Sequence, residues 1–169
     1  MNSGDILLFK GENGISWLIA WGTNSKYAHV AVCVSAKMNL AIEAITRGGV
    51  RAIDIRKIKQ PYDLYRIKEG HAYNPNEVIS YLVGRLNSKY DYKGVIFLGL
   101  LKFLVRVGCP LKNIVNRWQK QRDYFCSELC YEAFWFGGGL DIVPNTAEAD
   151  ITSPGDISKS PVVKQVLES

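Results

Sequence analysis

Apolar positions alternate with polar ones in some stretches of the chain and recur at helical spacing in others. Alternating or short apolar runs predict strands over residues 5–9, 28–35, 40–45, 50–56 and 62–67, with Val50, Ala52 and Ile53 facing inward in the fourth. Gly11 to Gly14, Ala36 to Asn39, Gly48-Gly49 and Pro61 supply the breaks between them. Helical spacing predicts short helices over 15–21 and from Pro75 to about Leu86, the latter capped by Asn74. An apolar helix is expected over about 95–107, and residues 111–120 form a basic amphipathic helix or a flap over a site. Val143-Pro144 and Ser153 to Asp156 read as turns, with a short strand near Ile157. No internal repeat, linker or low-complexity segment breaks the pattern, so residues 1–169 are expected to form one domain.

The strongest helical pattern covers residues 123–136. Asp123 is a capping residue, and Gly137-Gly138-Gly139 supplies a stop where positive φ is free. Phe125, Leu129, Ala133 and Phe136 fall on one stripe, which makes this helix a core element. Cys126 then lies in the first turn, where unpaired N–H groups and the helix dipole favour a thiolate.

The predicted hairpin over 28–45 supplies the groups that would activate such a sulfur. Val30, Val32 and Val34 share one face of the first strand, and Leu40 and Ile42 share the matching face of the second. His29 and Glu43 are thereby left together on the other face, close enough for a carboxylate to orient an imidazole. Cys126, His29 and Glu43 are the residue types of a nucleophile, a base and an orienting group. Glu43 has an alternative partner in Arg51, and a strand histidine taken alone is more often structural. Cys33 and Cys130 read as packing residues, and Glu128 points away from Cys126 by helical geometry. A zinc site from Cys126, Cys130, His29 and Cys33 exists by count, but C-x-x-x-C on one helix without a second Cys/His pair is a weak signal.

Composition changes this picture little. Hydrophobic residues at 47% against 22% charged place the chain among globular proteins rather than disordered ones. A net charge of +5 is compatible with an anionic partner such as a phospholipid surface, but a solvated basic surface is the plainer reading and charge alone decides nothing. No block of Lys and Arg interleaved with aromatics occurs, so nucleic acid is not expected. The N-terminus carries no basic leader, and the longest apolar run, residues 94–101, is too short to span a bilayer. Four cysteines, two of them one helical turn apart, do not resemble a secreted disulfide framework, so reduced thiols and a cytoplasmic location are expected.

Several short motifs occur in a telling order. They are Asp5 to Phe9; Tyr27-Ala28-His29-Val30; Ile42-Glu43-Ala44 with Gly49-Val50-Arg51; Tyr90-Asp91-Tyr92; Tyr124-Phe125-Cys126-Ser127-Glu128-Leu129; and Ser153 to Asp156. In this order the chain resembles the circularly permuted branch of the NlpC-type papain-like cysteine hydrolases, the YiiX/YebB-like proteins, from Gly4 to Ile157. The resemblance implies an α+β papain-like domain, with a small antiparallel sheet packed against helices. It implies His29 and Cys126 as the catalytic pair and Glu43 as the acidic third member. The expected activity is hydrolysis or transfer of an acyl group from an amide, ester or thioester, on a small-molecule, lipid or peptide substrate. Tyr92 and Tyr124 are candidate substrate-lining residues, and no cofactor is implied. The competing class is a non-catalytic lipid- or peptide-binding protein that keeps the fold.

Overall fold

A computed structural model of the chain describes residues 1–11, 24–45, 48–89, 126–144 and 152–166. Among them are six strands: β1 (Ile6–Lys10), β2 (Tyr27–Ser35), β3 (Leu40–Ile45), β4 (Gly49–Asp54), β5 (Tyr62–Ile67) and β6 (Val163–Val166). They form a single antiparallel sheet in the order β4-β3-β2-β1-β5-β6. Three helices accompany them: α1 (Pro75–Gly84), α2 (Cys126–Glu132) and α3 (Pro154–Lys159). The fold class is therefore α+β, as expected. The expected helices over 15–21 and 95–107, the segment 111–120 and the Asp123 cap lie outside the described residues. Among the described residues, no helix is long and apolar enough to cross a membrane.

The two faces of the sheet bury different sets of side chains. On one, Ile6, Leu8, Val30, Val32, Ile42 and Ala44 pack with Leu129, Cys130, Ala133 and Phe134, so α2 covers this side. On the other, Leu7, Phe9, Ala31, Cys33, Ala41 and Leu64 form a smaller cluster with Ile55. Strict alternation along β2 and β3 separates these sets, and both faces of the central strands are covered. Edge strand β4 departs from the expected facing. Val50 is buried and Ile53 half-buried, but Ala52 is exposed, because cover does not extend along this outer strand.

Three further expectations need correction. Helix α2 gives way to a π turn over Ala133–Gly137, where the Gly138 N–H donates to the Ala133 carbonyl at 3.0 Å. The wider turn shifts the helical phase. Leu129 and Ala133 stay buried, as the stripe predicts, but Phe134 takes the inward place and Phe136 is 65% exposed. Of the three glycines that follow, only Gly139 has positive φ. Gly137 and Gly138 serve close packing instead: a Cβ on Gly137 would lie 2.8 Å from the Glu77 carbonyl oxygen in α1, and one on Gly138 2.6 Å from Val78. Finally, Ile157 lies in helix α3 rather than a strand. Ser153 accepts from the Asp156 N–H, the Asp156 carboxylate accepts from the Ser153 N–H, and Pro154 occupies the first turn. This is a complete capping box.

Candidate functional site

The β2–β3 hairpin places His29 and Glu43 on one face, as alternation requires. Glu43 pairs in register with Ala31, so His29 is its diagonal neighbour on the next strand. The imidazole Nε2 and the Glu43 Oε2 are 2.7 Å apart. A bulge at the start of β2 skips Ala28, since Phe9 pairs with His29 while Lys10 pairs with Tyr27. Tyr27 thereby joins the helix-covered core while His29 remains beside Phe9, with ring centroids 5.3 Å apart. One side of the imidazole is packed and one nitrogen is held.

The far oxygen of Glu43 is also occupied. Arg51 donates to Oε1 from Nε at 2.9 Å and from Nη2 at 2.8 Å. Arg51 stands directly opposite Glu43 in the β3–β4 register. The two partners weighed for Glu43 are thus simultaneous, one per carboxylate oxygen. Burial on its own would raise the Glu43 carboxyl, but the bond and charge of His29, followed by those of Arg51, hold it below the ordinary range. Sequence reasoning treated Arg51 only as a competitor. Extending the same alternation to β4 would have found it on the shared face.

Cys126 lies in α2, which packs against both β2 and β3, and its side chain is almost wholly covered. Next to it, the Ser127 hydroxyl donates to the Thr152 carbonyl at 2.7 Å, tying α2 to the segment before α3. Cys126 acts on His29. Burial by itself would lower the imidazole, but the charge of Cys126 and hydrogen bonding to it, then the bond and charge of Glu43, lift His29 to about 10. Because Nε2 faces Glu43, the other ring nitrogen, Nδ1, is the one left for the sulfur. The protonated ring is accordingly favoured across the neutral pH range.

The other cysteines are of a different kind. Cys33 and Cys130 are buried and unbridged, and burial pushes both thiols upward, in keeping with packing roles. Among the described residues no three His, Cys, Asp or Glu side chains are placed to hold a metal ion together. Tyr92 and Tyr124 lie outside the described residues. On the side of His29 away from the helix-covered core, a cavity of about 350 Å³ opens, with His29, Glu43 and Arg51 in its wall.

No family model matches the chain, and no curated protein matches it by sequence. Among solved structures, the metalloprotein YiiX (DUF1105) from Escherichia coli O157:H7 is similar, with a TM-score of 0.71 over 99% of this chain and 97% of that one. Sequence identity between the two is 15%, so the likeness is one of fold: this chain has a YiiX-like α+β architecture.

Proposed function

We propose that this protein is a thiol-dependent hydrolase or acyltransferase of the permuted papain-like kind, acting on an amide, ester or thioester. The observation that carries the reading is the linked set Cys126, His29, Glu43, in which the sulfur raises an imidazole whose Nε2 is held by a buried carboxylate. A thiolate beside an imidazolium is the resting form of an activated cysteine nucleophile.

In the proposed reaction the Cys126 sulfur attacks the carbonyl carbon and forms a C–S bond. The carbonyl oxygen gathers negative charge, for which the Cys126 N–H at the helix start is a donor. As the intermediate collapses, the imidazolium of His29 gives its proton to the departing amine, alcohol or thiol, and the bond to that group breaks. Water, or another acceptor, then attacks the thioester while neutral His29 takes its proton, and the free thiolate returns. Glu43 keeps the ring oriented throughout, and Arg51 keeps Glu43 ionised.

The description of YiiX as a metalloprotein raises a metal-centred alternative for this chain. The described residues do not fit it at this site, because both oxygens of Glu43 are engaged by His29 and Arg51 and no third donor converges on them.

The test is labelling of the full chain by a thiol-directed acyl probe, together with turnover on a panel of acyl esters and amides. Cys126→Ala is expected to abolish both, and Cys130→Ala to leave both intact. Equal labelling of the two variants removes the assignment, and labelling of Cys126 without turnover on any acyl donor favours the non-catalytic binder.

A further inference from the structure

We propose that the cavity beside His29 binds the charged end of an oxyanion-headed amphiphile, a phosphate or carboxylate carried on a short apolar chain. Calling that ligand the substrate rests on the acyl-transfer reading; the binding itself does not.

The cavity, about 350 Å³, falls within the range of small-molecule sites. Its walls combine two chemistries. Phe9, Ile53 and Ile58 offer apolar surface, while Arg51, Lys57 and Lys59 offer positive charge. The two acids in the wall are already engaged. Glu43 is held by His29 and Arg51, and both oxygens of Asp54 accept from the Arg56 side chain. Lys57 and Lys59 form no ion pair among the described residues. Arg51 spends Nε and Nη2 on Glu43 and keeps Nη1, and its side chain is half exposed. An entering ligand therefore meets two lysines bonded to no carboxylate among the described residues, beside an arginine with one nitrogen to spare.

The wall that carries the lysines is fixed at several points. Ile55 is buried, and its N–H donates to the Asn39 carbonyl at 2.8 Å. Asp54 caps the 3₁₀ turn Ile55–Lys57, and the Gln60 side-chain amide donates to the Lys10 carbonyl at 2.7 Å. Lysine backbones held in place surrender little order when an anion arrives. His29 lies in this wall and Cys126 does not, so the cavity adjoins the proposed reacting centre and receives a neighbouring part of the ligand.

Calorimetric titration of the full chain carrying Cys126→Ala, which prevents turnover, tests this. The probes are octyl phosphate, octanoate, octyl glucoside and inorganic phosphate, each below its micellar concentration. Octyl phosphate and octanoate are expected to bind at least about tenfold more tightly than octyl glucoside, and octyl phosphate about tenfold more tightly than inorganic phosphate. Adding Lys57→Ser with Lys59→Ser is expected to weaken octyl phosphate by about tenfold while circular dichroism stays unchanged; Lys37→Ser, outside the cavity, is expected to have no effect. Equal affinity for the charged and neutral amphiphiles overturns the proposal, as does indifference to the double lysine substitution. Inorganic phosphate binding as tightly as octyl phosphate overturns the amphiphile. A chain that passes this titration yet turns over no acyl donor keeps the cavity's role and loses only the reading of its ligand as a substrate.

Discussion

His29 is positioned by what surrounds it on every side: Phe9 against its ring, Glu43 at Nε2 and the sulfur of Cys126 acting on the remaining nitrogen. Its proton is held more tightly in the folded chain than at the ordinary histidine value of 6.5. The sign follows directly. Stabilisation attached to that proton is complete below about 6.5 and is lost as pH rises through about 10. A ring-proton NMR titration should therefore find His29 still charged at pH 8. Replacing Cys126 with Ala should move the midpoint down by on the order of one unit or more, because burial is then opposed by Glu43 alone. A midpoint near 6.5 in wild type, unmoved by Cys126→Ala, would show that sulfur and ring do not communicate. Much of this set was readable from residues alone, since alternation with period two fixes which side chains share a face. Which groups lie across from that face was harder to read, and Arg51 went unrecognised as a third link because its strand was not carried through the same register.

At the level of elements, the strands were read closely and the helix ends poorly. The bounds expected for β3 and β5 agree with the structure, because short apolar runs there are closed off by turn residues such as Asn39, Gly48 and Pro61. The π turn over Ala133–Gly137 leaves no such mark, being set by how α1 packs beside it. Likewise Ser153 and Pro154 read equally as a turn or as the opening of a helix, and the Asp156 capping bonds decide between them. The glycines at this junction allow a sharp comparison. Gly137→Ala would press a methyl group against the Glu77 carbonyl and Tyr81, and should cost about 1–3 kcal/mol in chemical denaturation. Gly84→Ala, at the end of α1 with open space around it, should be neutral or stabilising by about 0.4–1 kcal/mol. If both substitutions cost the same, the close packing of the two helical segments is not what selects glycine.

Across the whole molecule, strands distant in sequence are locked together by a small number of polar contacts. Asp5, only 1% exposed, accepts from Arg66 Nε at 2.7 Å and Nη2 at 2.8 Å, joining the region of β1 to β5. Removing the arginine leaves a covered carboxylate with no cation beside it and the Asn2 N–H as its remaining donor. Arg66→Met should accordingly lower global stability by about 3 kcal/mol, read as a fall in the denaturation midpoint at unchanged slope. A change below about 0.5 kcal/mol would mean that water reaches Asp5 as easily as the arginine does.

The chain order of the sheet and α2 has a consequence for assembly. The hairpin bearing His29 and Glu43, with Arg51 on the next strand, closes from neighbouring residues, whereas Cys126 arrives only after α1 and a long intervening stretch. Local pairings form quickly and remote ones wait on closure of a large loop. The His29–Glu43–Arg51 chain of contacts is thus local, and the sulfur beside it comes from far along the sequence. The set is completed only when α2 docks on the sheet, with α3 and β6 still to follow in the chain.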